Sequence, residues 1–231
     1  MTPRPPGLSG AAGEFVAFIR PAPFPAFDDA ARLPRGDGYA VLVLPAVFNS
    51  DGYSRDFRAL LARLGYTAHG WALGLNRGPT ARLIAGATAQ LEAIARRDGP
   101  VSLVGHSMGG LFARLLAHRH PTLVRRVVTL TSPIHRPADS LLVPLAPFLG
   151  LWPGVDLRAI AAEIAAPPPV PSTAIYSRED GICAWMCCRE PSPTADNVEV
   201  AGRHVTMLQN EAAVRIVVDR LARPPATPGR T

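Results

Sequence analysis

The chain has 231 residues, a net charge of +6 and 48% hydrophobic residues, enough for one domain with an ample core. All 24 basic residues are arginine, and the absence of lysine excludes a pyridoxal Schiff base, a Ser-Lys dyad and a phosphate-cradling lysine loop. The arginines fall singly or in pairs such as Arg96-Arg97 and Arg125-Arg126, with no basic tract or interleaved aromatics, which argues against a nucleic-acid partner.

Residues 1–38 read as an N-terminal extension, partly disordered. Residues 1–13, like the tail at 224–231, are rich in Pro, Gly and small side chains and need no fixed structure. The start lacks the continuous apolar core and cleavage site of a signal peptide. The longest apolar stretch, 141–152, is broken by Pro144 and Pro147 and falls short of the roughly 20 residues that cross a bilayer. A cytoplasmic protein without stable membrane insertion is the expectation. The domain itself spans 39–223. Strand candidates at 39–44, a run of buried-strand type, and at 66–71, 101–104, 126–130, 173–177 and 198–201 alternate with helical patterns at 51–64, 80–97, after 107, at 157–165 and at 210–222. This rhythm predicts an α/β fold, a compact and mostly parallel sheet of about six strands with helices on both faces. Between the fourth and fifth strands, 132–172 is long for a bare connection. Its apolar, proline-punctuated residues, Leu149 and Trp152 among them, predict a small cap-like insertion at the carboxyl edge of the sheet, where ligands bind in open α/β folds.

The stretch Gly105-His106-Ser107-Met108-Gly109 lies between the strand run at 101–104 and the helical run that opens Gly110-Leu111-Phe112. A serine between glycines at these spacings, on a sharp strand-to-helix turn, is a nucleophile elbow. The turn is strained, so side chains two residues to either side would strike the backbone. The helix start aims free N–H groups, that of Met108 included, at an oxygen that becomes negative during acyl transfer.

A base must take the serine proton, and a carboxylate must orient that base. Of the six histidines, His106 projects away from the serine, His118 and His120 lie far along the helix, His69 sits on an earlier strand, and His135 precedes the acid candidates. His204, just past the last strand, is the candidate base. Asp180 follows the fifth strand and is the candidate acid, with Glu179 as runner-up and Asp196 weaker because it precedes a strand. A second oxyanion donor belongs to the loop after the first strand, at Val47 or alternatively Phe48. Phe48 and Asn76, with Leu149 and Trp152 from the insertion, are the expected substrate contacts. Cys183, Cys187 and Cys188, odd in number and confined to six residues, fit neither a disulfide framework nor a common zinc spacing; reduced buried thiols and no bound metal are expected.

At residues 39–222 the chain resembles the α/β-hydrolase superfamily, in its esterase and lipase-like branch of small bacterial lipases and inositol-deacylase-like proteins. The elbow, the loop Pro45-Ala46-Val47, the stretch Leu73-Gly74-Leu75-Asn76-Arg77-Gly78-Pro79, the Tyr176-Ser177-x-x-Asp180-Gly181-Ile182 segment and Gly202-x-His204 carry the resemblance. It implies a triad of Ser107, Asp180 and His204, oxyanion donors at Val47 and Met108, no cofactor, and a small-molecule or lipid ester as substrate. Pro45-Ala46 departs from the His-Gly or Pro-Gly usual before the oxyanion residue. An acyltransferase or thioesterase would use the same triad, and a non-catalytic binding member would lack a working residue.

Overall fold

The computed structural model describes residues 8–20, 22–135, 155–193 and 195–224. Six strands, β1 Ala40–Leu44, β2 Thr67–Gly70, β3 Val101–His106, β4 Val124–Leu130, β5 Ser172–Tyr176 and β6 Asp196–Glu199, pair in parallel in the spatial order β2-β1-β3-β4-β5-β6. The expected parallel six-stranded sheet is thus observed. β1, β3 and β4 are buried along their whole length; β1 reads as a continuous apolar run, while β3 and β4 also bury Ser102, His106, Arg125, Arg126 and Thr129. The edge strands β2 and β6 are half-exposed and tolerate Thr67, His69, Asp196 and Asn197.

Alternation along the strands divides the core in two. On one face Leu42, Leu44 and Leu103 pack against Leu83 and Leu91 of a helix at Ala81–Asp98, Leu115 and Leu116 of a helix at Met108–Arg119, and Ile164 of a helix at Leu157–Ala165. On the other, Val41, Val43, Val104 and Val128 meet Phe57 and Leu61 of a helix at Arg55–Arg63 and Val214, Val217 and Leu221 of a helix at Glu211–Ala222. With a further helix at Leu8–Ile19, these are α1 (Leu8–Ile19), α2 (Arg55–Arg63), α3 (Ala81–Asp98), α4 (Met108–Arg119), α5 (Leu157–Ala165) and α6 (Glu211–Ala222) in chain order. Local chemistry sets their ends: the Thr80 hydroxyl accepts from Leu83 N–H, Asn210 from Ala213 N–H, and Asp156 from Arg158 and Ala159 N–H. Strand order reverses between β1 and β3, and this opens a crevice at their carboxyl ends.

One expectation is corrected here. Residues 8–13, read as needing no fixed structure, belong to α1. Its Gly- and Ala-rich sequence, with apolar residues on several sides, hides the helical period, and it is held by tertiary contacts rather than by propensity. The insertion at 132–172 is described only in part, and Leu149 and Trp152 lie outside the described residues. Its described helix, α5, packs on the core beside α4: the Arg114 guanidinium donates to Ile164 O and Ala166 O at 2.6 Å each and pairs with buried Glu190. No helix among the described residues is long and apolar enough to cross a membrane.

Candidate active site

β3 delivers Ser107 into a turn with φ 51° and ψ −118°, a left-handed backbone that non-glycine residues rarely adopt. The turn is fastened by Ser107 N–H donating to Leu130 O on β4 at 2.8 Å. The two glycines flanking Ser107 are required by contact. A Cβ at Gly105 would run into the Gly109 carbonyl and the Gly110 nitrogen, and one at Gly109 into the carbonyls of Leu44 and Pro45. α4 can therefore start one residue after the serine, directly beneath the β1 loop.

His204, in the turn after β6, places Nε2 2.8 Å from Ser107 Oγ, and Asp180, in the turn after β5, places Oδ2 2.8 Å from His204 Nδ1. All three side chains are buried. The other Asp180 oxygen accepts from the Ile182 and Cys183 N–H groups at 2.8 and 2.7 Å, which fixes the carboxylate plane. Burial alone would lower the His204 pKa, but the Asp180 carboxylate outweighs it, and the imidazole is held well above its ordinary 6.5. Such a chain lets Ser107 O–H donate to Nε2 while Nδ1–H donates to Asp180.

His106 is not the base, but it is no bystander. Its Nε2–H donates to His204 O at 2.8 Å and its ring stacks on Tyr53 at 5.5 Å. Burial, with His204 alongside, pushes its pKa down to about 3, so it stays neutral and carries its proton on Nε2. Glu179 is exposed, and Asp196 pairs with Arg220 at 2.6 Å on the edge strand. Neither reaches the histidine. The buried carboxylate of Glu14 is a feature that sequence reasoning missed: it accepts from the N–H groups of Gly181, His204 and Val205. Its local trace in the sequence is no more than Gly10 and Gly13 just ahead of it.

The loop after β1 brings Val47 to the serine. Among the described residues, neither Val47 N–H nor Met108 N–H has a hydrogen-bond partner. Phe48, the alternative donor, has its N–H occupied by Asn76 O at 2.7 Å and sits at φ 60°. Its side chain instead lines the cavity beside Ser107. Asn76, expected as a substrate contact, is fully buried and does not face the cavity. Its Nδ2 donates to Pro45 O at 2.7 Å and its Oδ1 accepts from Gly78 N–H at 2.9 Å, so it braces the β1 loop against the loop before α3.

A cavity of about 500 Å³ opens over Ser107 and His204, within the size range of small-molecule sites. Its walls are Phe48, Ile182 and Val205 together with Ala11, Phe15 and Phe18 of α1. Cys183, Cys187 and Cys188 are reduced and buried. Contact with Cys188 and burial raise the Cys183 thiol, which leaves it an inert neighbour of His204. Among the described residues, Asp180, Cys183 and His204 form the grouping with metal-ligand chemistry, their ligand atoms lying within 4.8 Å of one another. An ion there would have to part the His204–Asp180 hydrogen bond.

The family model for the α/β-hydrolase fold matches residues 84–168. A solved structure from work on the metagenome-derived lipolytic enzymes LipS and LipT aligns with a TM-score of 0.61 at 18% identity, covering 80% of this chain and 92% of that one. The chain has the α/β-hydrolase fold. Two further solved structures align similarly. The lipase BlEst2 of Bacillus licheniformis aligns with a TM-score of 0.61 at 17% identity over 82% of this chain and 94% of its own. Est1E of Butyrivibrio proteoclasticus, solved with ferulic acid bound, aligns with a TM-score of 0.57 at 11% identity over 82% and 90%. No curated protein matches the sequence. In this chain the elbow and the turns of Asp180 and His204 all stand at carboxyl ends of sheet strands, in the chain order Ser107, Asp180, His204.

Proposed function

We propose that the protein hydrolyses carboxylic esters through an acyl-enzyme on Ser107. The observation that carries this reading is the unbroken chain from Ser107 Oγ through His204 to Asp180, 2.8 Å at each step, at the base of a cavity walled by apolar side chains. Ser107 attacks the ester carbonyl as His204 Nε2 takes its proton. The Val47 and Met108 N–H groups receive the oxyanion. His204 then protonates the departing alcohol, and a water activated by the same imidazole releases the acid. Asp180 keeps the imidazole in the tautomer that can accept at Nε2, and stabilises the imidazolium.

The neighbours support a small ester substrate: one is a lipase and another was solved with ferulic acid. The aromatic wall of Phe15, Phe18 and Phe48 supports an apolar acyl group of some length. A series of p-nitrophenyl esters of increasing acyl length, run beside Ser107→Ala, tests both points. The expected result is a rise in kcat/KM from acetate to medium or long chains, with turnover nearly abolished in the variant. Full activity in Ser107→Ala would sink the mechanism, and a strict acetate preference would sink the apolar acyl site.

A further inference from the structure

Glu14 has no part in the proton relay, yet its carboxylate touches both of the turns that build it. Oε1 accepts from Gly181 N–H at 2.9 Å and from His204 N–H at 2.8 Å; Oε2 accepts from Val205 N–H at 3.0 Å. Gly181 directly follows the acid Asp180, and the second N–H belongs to the base residue itself. A single carboxylate, 167 and 190 residues away in the chain, therefore spans the acid turn and the histidine turn.

The approach that makes this possible is written into α1. A Cβ at Gly181 would stand 2.5 Å from Gly10 O, and one at Gly13 would run into the Arg203 guanidinium. With hydrogen in those places the helix backbone lies against both turns, and Glu14 enters the space between them. The side chain is 1% exposed. A carboxylate at that depth needs strong compensation, and three backbone N–H donors supply it. These N–H groups sit in turns beyond the ends of β5 and β6, outside the sheet ladder, so no regular structure sets their spacing.

We propose that Glu14 is a positioning residue: it fixes the separation of the Asp180 and His204 turns and so keeps His204 Nε2 on Ser107 Oγ. The proposal rests on Ser107, His204 and Asp180 being the catalytic relay. Glu14 acts through backbone atoms and contacts no reacting group. Without it three backbone donors lose their acceptor together, those of Gly181 and His204 buried, and the two turns keep only the Asp180–His204 bond and the Ser177 hydroxyl on Gly202 O between them.

The test uses the full chain as wild type, Glu14→Ala and Glu14→Gln, with Ser107→Ala as the blank. A fluorophosphonate reports both the fraction of Ser107 that labels and the rate per labelled site, while ester turnover gives kcat and KM. In Glu14→Ala the rate per site and kcat fall by about 10²-fold, the scale of loss from a misplaced catalytic group, and KM stays within about twofold. Glu14→Gln keeps an oxygen for two of the three N–H groups and falls by only about tenfold, since one hydrogen bond of the three becomes a donor–donor contact. The downfield proton resonance of the His204 imidazole N–H, recorded where circular dichroism shows the variants folded, shifts or broadens in Glu14→Ala. A lower Tm or fewer active sites with an unchanged rate per site and an unchanged resonance would overturn the proposal, leaving Glu14 as a fastener of α1 alone. If Glu14→Ala is insoluble, Glu14→Gln decides by the same readouts. Failure of wild-type Ser107 to label would count against the relay instead, and the imidazole resonance would still judge Glu14.

Discussion

At the scale of single residues the site is a problem in proton placement. Asp180 is useful to His204 in two ways that one substitution separates from simple packing. In Asp180→Asn the amide can donate to Nδ1, which favours the tautomer with its proton on Nε2 and leaves Ser107 without an acceptor. We expect kcat to fall on the order of 10⁴-fold with the fold intact, measured by ester turnover beside circular dichroism. Charge gives an independent check. The groups facing the imidazole are the Asp180 carboxylate, the Cys183 thiol, neutral His106 and Ser107. Because Asp180 raises the His204 pKa above 6.5 against burial, the imidazole becomes a competent base only as pH climbs past that ordinary value. The rising limb of kcat/KM is therefore expected above pH 6.5. In Asp180→Asn burial is left to dominate and the His204 titration, followed by NMR, moves to lower pH; a titration that stays put or rises would contradict the assignment of cause.

At the scale of elements, Ser107, Asp180 and His204 each stand in a turn or loop, and each is held by something the chain supplies from elsewhere. Asn76 illustrates this. Replacing it with Ala leaves Pro45 O and Gly78 N–H without partners in a buried place, at a cost of about 1–3 kcal/mol, and frees the loop that presents Val47. Chemical denaturation reads the first effect. The second appears as a drop in kcat up to the 10²–10³ attached to an oxyanion donor. The expected signature is loss of both together; lost stability with unchanged kcat would separate Val47 from the oxyanion. These braces explain which parts of the site are legible in sequence. Ser107 is visible because its strained turn demands glycines at fixed spacing. Asp180 is visible because it follows the buried strand β5, and His204 because it lies past the last strand and before the closing helix. Asn76 looks like a ligand contact, because a polar residue in a loop at the carboxyl edge carries no mark of its burial. Glu14 is invisible: its partners lie at the far end of the chain, and α1 shows no apolar period by which to place it. Its one local trace is Gly10 and Gly13 just ahead of an acid.

At the scale of the molecule, the parallel sheet sets the order of events along the chain and the reversal between β1 and β3 opens the crevice in which they meet. The apolar pattern that builds the two cores is legible throughout β1, which is buried on both faces; in β4 it is interrupted by Arg125 and Arg126, buried because Asp37 and the Arg223 carbonyl accept from them. The buried pair of Arg114 and Glu190 ties α4, which starts at the elbow, to α5 and to the segment before β6. Arg114→Met strands a buried carboxylate and is expected to cost about 3–5 kcal/mol in unfolding free energy, whereas Arg114→Met with Glu190→Leu recovers much of it. Equal losses in the single and double variants would contradict that account. The central claim, however, concerns covalent chemistry at one oxygen. An acid quench during turnover of a slow ester, followed by intact-mass and peptide analysis, reads it directly. One acyl group on Ser107, absent in Ser107→Ala, is the predicted result; undiminished turnover in Ser107→Ala, or an acyl group mapped to another residue, would contradict it.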